Sequence, residues 1–207
     1  MDNPSLRADC ARCAALCCVA LAFDRSAHFA FDKKAGEACP NLDATCHCRI
    51  HAGLAESGFS GCAAYDCHGA GQYVVQHLFS GRSWREEPHL LAPMMTAFAE
   101  MKAIQEARLL VGAALQLALP PGGLDMLETY AALLRPVDGW TRRKIENGDG
   151  RALVDEIHRY FRELKTHFIF DRRADRGGLN RLNPPSESGR PAASPSARSR
   201  SSRRDRA

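Results

Sequence analysis

The chain has 207 residues, nine cysteines and a formal net charge of +4, a length that fits one compact domain or two small ones. Its two longest apolar runs, 14–23 and 109–119, fall short of the roughly 20 residues a membrane-spanning helix needs, so no membrane partner is expected. The charge is local: residues 171–207 hold ten arginines against four acids, which leaves residues 1–170 at −2. The body therefore has no basic balance to suit specific nucleic-acid binding; the tail alone could make weak contacts, and a solvated tail with no dedicated partner is the plainer reading.

The N-terminal stretch reads as a helix from about Cys10 to Ala20, with Asp9 placed to cap it. Although the apolar run follows Arg7 and Arg12, a cleaved signal would discard Cys10, Cys13, Cys17 and Cys18. The chain is read as cytoplasmic, where thiols stay reduced and a dense cysteine set serves metal or redox chemistry better than a disulfide framework. Phe29 to Asp32 reads as a short extended segment. Ile50 to Ser57 and Gln72 to Phe79 read as short helices, ended by Gly58 and by Ser80-Gly81. Residues 1–82 carry few large apolar side chains, and a small domain of that kind often needs a metal staple.

From residue 83 the pattern changes. Pro93 suits a first helical turn, and Met94, Phe98, Met101 and Ile104 recur at helical spacing. That pattern runs into Leu109–Leu119, a helix expected to be buried and stopped by Pro120-Pro121-Gly122-Gly123. Leu124, Leu127, Ala131 and Leu134 make a second amphipathic helix, ending near Pro136. Leu153, Ile157, Tyr160, Phe161, Leu164 and Phe168 make a third. Three such helices pack as a bundle. Residues 171–207, rich in Arg, Ser and Pro, lack the apolar content to offset ordering entropy and read as disordered. The expected fold is mainly α: a cysteine-rich, metal-stapled domain over 1–82, a helical domain over 83–170 and a disordered tail over 171–207.

All nine cysteines fall within the first 67 residues. On one helix, Cys10, Cys13 and Cys17 would lie within roughly 60° of arc, with Cys18 at the rim. Four thiolates suit tetrahedral zinc or an iron–sulfur cluster. Eight could supply two such sites, or one site plus structural thiols. His28, His47, His51 and His68 could substitute at a zinc centre, although a histidine is more often an ordinary surface or core side chain. Gly69-Ala70-Gly71-Gln72 lacks the preceding strand of a nucleotide site and reads as a tight turn beside Cys67. No Ser/His/Asp arrangement, Walker loop or methyl-donor motif appears, so the enzyme question stays open, with the balance against catalysis.

Arg7-Ala8-Asp9-Cys10, Leu16-Cys17-Cys18-Val19-Ala20, Asp32-Lys33, Cys39-Pro40-Asn41-Leu42, Cys48-Arg49-Ile50-His51, Gly58-Phe59, Gly61-Cys62, Tyr65-Asp66-Cys67, Gly69-Ala70-Gly71-Gln72, Gly81 and Trp84-Arg85 carry a family likeness. Together they resemble the N-terminal region of actinobacterial pentapeptide-repeat proteins over about residues 6–170. The cysteine order is also similar to that of a broader family of cysteine-cluster domains thought to chelate zinc or iron. The resemblance implies a metal-ligand set of Cys10, Cys13, Cys17, Cys18, Cys39, Cys48, Cys62 and Cys67, with Cys46 outside the pattern. Two departures stand out. Three residues rather than two separate Cys13 from Cys17, and the tandem pentapeptides expected after the helical region are absent. The function expected is a non-catalytic metal-binding module, for zinc or an iron–sulfur cluster, in a structural or electron-handling role. Its rivals are a thiol-based redox sensor and an accessory domain of a protein-modifying enzyme.

Overall fold

The computed structural model describes residues 6–117, 119 and 122–178, with side chains as far as Lys165. The described residues are mainly helical and contain no sheet, only isolated bridges. Contacts divide the chain into residues 1–165 and 166–207. The expected boundary at 82/83 falls inside the first unit, because cysteine-rich and helical segments share one hydrophobic core.

The seven α-helices among the described residues are α1 (Leu16–Ala20), α2 (Ser60–Ala64), α3 (Ala70–Tyr73), α4 (Leu91–Ala114), α5 (Gly123–Leu133), α6 (Arg142–Glu146) and α7 (Asp149–Gly178). A π-helical turn, Val74–Leu78, extends α3. The central element is α4, entered through a 3-10 turn at Pro88–Leu90. Its Met94, Phe98, Met101, Ile104 and Val111 are buried at helical spacing and meet Leu16 and Val19 of α1, Val74 beside α3, Leu127 of α5 and Ile157 of α7. Full burial of each such side chain contributes about 1.5–3 kcal/mol.

Two polar side chains in this core, Tyr73 and Glu100, are tied down by hydrogen bonds. Tyr73 Oη donates to the Trp140 carbonyl at 3.0 Å and accepts from the Trp140 N–H at 2.9 Å. Glu100 of α4 receives the N–H groups of Gly150 and Arg151 at 3.2 and 3.3 Å, capping the first turn of α7. Gly150 is required there: a Cβ would stand 2.5 Å from Ile104 Cδ1 and 2.8 Å from Glu100 Oε1.

Several expectations are corrected. The Cys10–Ala20 helix is broken. A 3-10 turn covers Cys10–Arg12, then Ala14 and Ala15 take left-handed φ values of 47° and 53° before α1 starts. Asp9 makes no side-chain cap; its N–H donates to Gln72 Oε1 instead, at 2.9 Å. Tertiary hydrogen bonds outweigh helix propensity here. Of the apolar run at 109–119, Val111 and Ala114 are buried, but Leu109, Leu110 and Leu117 are 40%, 41% and 61% exposed, because α4 buries one face only. Helix α7 passes residue 170 and reaches Gly178, so the start of the expected disordered tail is helical, while residues 179–207 lie outside the described residues. The 50–57 segment is a 3-10 turn, His51–Gly53, followed by further turns.

Candidate metal centre

Between α1 and α2 the chain forms a long looped segment. It is pinned by antiparallel bridges pairing Phe23 with Lys33, Ser26 with Phe29 and Leu42 with Cys48. Its core is aromatic: Phe23 stacks on Phe29 at 4.4 Å between centroids, and Phe59 meets Phe31 edge-on at 4.9 Å. This cluster is packing that the sparse apolar content of residues 1–82 did not suggest.

The N-terminal cysteine segment is gripped from α3 and its π turn. The Gln72 side chain donates to the Arg7 carbonyl at 2.7 Å while accepting the Asp9 N–H, and Gln76 donates to the Arg12 carbonyl at 3.0 Å. The Trp84 indole N–H donates to the Ala14 carbonyl at 2.7 Å, at the left-handed kink. Gly71 allows a close approach, since a Cβ there would lie 2.8 Å from Cys13 Cβ. The resemblance included Gln72 and Trp84, but nothing in their residue type announced these holding roles.

The nine cysteines are free thiols, and all nine line one cavity of about 590 Å³. The eight pattern positions thus come together, although 57 positions separate the first from the last. The helical stripe does not do this, because the kink breaks it. Cys46, with a φ of 64°, also lines the cavity, and its sulfur receives the Arg85 guanidinium N–H at 3.3 Å. Of the four histidines, His47 and His51 line the cavity. His28 pairs with Ser60 at 2.9 Å, and His68 lies 3.5 Å from Asp66.

Cys10, Cys13, Cys17, Cys39 and Cys62 are all pushed toward the neutral form. Burial, then the charge of Cys67, raises Cys10. Burial pushes Cys13 up to about 12. Burial, then Cys18, Cys39 and Cys48, pushes Cys62 up to about 11. Burial also raises Cys39, with Cys18 and Cys48 acting in the same direction and the Asn41 N–H and Lys33 against it. The Sγ atoms of Cys17 and Cys18 lie 3.7 Å apart. Their hydrogen bond keeps the proton on Cys17 and lowers Cys18, which Lys33 also favours.

Lys33 is 5% exposed and donates to the carbonyls of Val19, Lys34 and Glu37 at 3.3, 3.0 and 2.9 Å. Burial lowers its pKa, while Cys39 and Cys18 act to keep its charge. All three ammonium protons have acceptors, so a buried cation is fixed beside the thiols.

Among the described residues, no group of three or more His, Cys, Asp or Glu side chains converges closely enough to hold a metal ion as it stands. The donor chemistry nevertheless fits a thiophilic metal. The thiols are unpaired by disulfides, share one cavity and oppose one another's ionisation, so a cation would let them ionise together. The hydroxyl of Tyr65 is buried without a hydrogen-bond partner, and burial, then Cys17 and Cys67, raises its pKa.

No helix among the described residues is long and apolar enough to cross a membrane. No family model matches the chain, and no solved structure matches it. The chain is 48% identical over 101 residues to the uncharacterized protein YybG of Bacillus subtilis (strain 168), a match covering 49% of this chain and 36% of that protein.

Proposed function

We propose that this chain is a cytoplasmic metal-binding protein that holds zinc or an iron–sulfur cluster on its cysteine thiols. The role is structural or electron-handling rather than catalytic. One observation supports this reading above the rest: nine free thiols spread over residues 10–67 line a single cavity. A core that used cysteines only as small apolar residues would have no reason to face all of them into one space. Placement among the pentapeptide-repeat proteins, with the helical core kept and the repeats absent, belongs to the same proposal.

The test is anaerobic purification of the full chain followed by metal and acid-labile sulfide analysis. Brown protein with stoichiometric iron and sulfide selects a cluster, and colourless protein with stoichiometric zinc selects a zinc site. Folded protein that neither carries nor takes up metal defeats the reading. It would favour the second one, a thiol redox sensor, for which the Cys17–Cys18 sulfur contact at 3.7 Å is the specific support.

A further inference from the structure

The cysteines that line the cavity are not equivalent in their packing. Cys17 and Cys67 pack against the main hydrophobic core, and Cys13 is itself buried. Cys13 donates its S–H to the Cys10 carbonyl at 3.3 Å, so those two stay together. Cys67 sits at the start of α3, where its carbonyl receives the Ala70 N–H at 3.0 Å, one residue before the Gly71 contact that fixes Cys13. Cys13, Cys17 and Cys67 thus lie on the core side of the cavity, and the exposed Cys10 is held to Cys13.

Of the other four, Cys39 and Cys48 belong to the looped segment, and Cys18 and Cys62 lie on α1 and α2, the helices at its two ends. The Cys39 N–H donates to the Cys18 carbonyl at 3.0 Å. The Leu42 N–H donates to the Cys39 carbonyl at 3.0 Å, and Leu42 is bridged to Cys48, which brings Cys39 and Cys48 together. Cys62 lies on α2, where the looped segment ends, and lines the same cavity. Cys17 and Cys18 are neighbours on α1 whose sulfurs touch at 3.7 Å, so the two groups of thiols adjoin there.

We propose that the eight thiols form two four-thiolate metal sites, an inner one of Cys10, Cys13, Cys17 and Cys67 and an outer one of Cys18, Cys39, Cys48 and Cys62, meeting at the Cys17–Cys18 pair. This rests on the metal-binding reading above and adds the number of sites and their membership. A divalent ion on four thiolates leaves a net charge of −2. The outer set has the Lys33 ammonium beside it, whereas the inner set has Asp9 and Asp66 near Cys10. The outer set therefore holds a metal ion more tightly, and the first equivalent collects there.

The experiment uses the full-length chain, made metal-free and kept anaerobic and reduced. One equivalent of Zn(II) is added, and unprotected thiols are alkylated and mapped by mass spectrometry. Protection of Cys18, Cys39, Cys48 and Cys62 is expected, with alkylation of Cys10, Cys13, Cys17 and Cys67, and two equivalents should protect all eight. Protected thiols drawn from both sets overturn the partition, and protection of the inner four first overturns the charge argument.

Paired variants give a second readout. Cys10→Ser with Cys67→Ser should keep one Zn(II) equivalent, and Cys10→Ser with Cys62→Ser should keep neither. Equal loss in both pairs points to one shared multinuclear centre and refutes the proposal. A wild-type chain that binds no Zn(II) and carries no iron defeats the metal-binding reading as well. Two bound equivalents with mixed protection defeat the partition alone.

Discussion

Gly71→Ala perturbs the contact that joins the cysteine segment to α3. The new Cβ would lie 2.8 Å from Cys13 Cβ, with Phe98 Cε2 at 3.8 Å behind it. Cys13 has little room to retreat, because Gln76 holds the Arg12 carbonyl on one side and Trp84 the Ala14 carbonyl on the other. Overpacking of this kind costs about 1–3 kcal/mol. Alanine regains up to about 1 kcal/mol of helix propensity, so the net loss is about 1–2 kcal/mol. With a urea m-value of about 1–3 kcal/mol/M, the unfolding midpoint falls by about 0.3–2 M. Circular dichroism reads the midpoint. Cys13 alkylation gives an independent signal, since the thiol is 6% exposed and burial pushes it up to about 12, and the variant should label faster there. A midpoint unchanged or raised, with Cys13 still slow, would refute the claim that Gly71 sets this approach.

Tyr73→Phe leaves the Trp140 N–H without its partner and should cost about 1–3 kcal/mol in urea unfolding. Burial raises the Tyr73 pKa above its ordinary 10. Above pH 10 the unfolded chain therefore ionises this group while the folded chain retains the proton, and the associated stability is lost as pH climbs through the folded value. Removing the hydroxyl should make the alkaline stability slope shallower, and a slope identical to wild type would contradict the assignment. Gly150→Ala should lower the thermal midpoint, at a cost of about 1–3 kcal/mol, because Ile104 and Glu100 leave no space for a methyl group; an unchanged midpoint would count against that packing. Cys46→Ser should leave metal stoichiometry at the wild-type value, while Cys48→Ser should lower it. The reverse result would move the ligand assignment to the residue that faces Arg85.

The main helices were legible in the sequence because their signals are local. Met94, Phe98, Met101 and Ile104 repeat with the period of a helix, and Leu127 and Leu134, like Ile157 farther on, do the same. Short-range rules also marked Ser80-Gly81 as a stop and placed Pro93 in a first turn. Cysteine content alone singled out residues 10–67 as the place to look for chemistry.

The arrangement of those thiols depended on tertiary contacts. A continuous helix would have placed Cys10, Cys13 and Cys17 on one stripe. Instead Trp84, 70 residues away, accepts a role at Ala14 that stabilises the left-handed kink. Gln72 and Gln76 read as ordinary polar helix residues until their amides meet the carbonyls of Arg7 and Arg12. Lys33 looks like one of two exposed lysines in sequence, and only the fold around Val19 and Glu37 buries its ammonium beside Cys18 and Cys39. Residue type and periodicity decided which segments became helices and which held the thiols. Hydrogen bonds between segments far apart in the chain decided where each thiol faces, since such bonds are set by partners that no local pattern names.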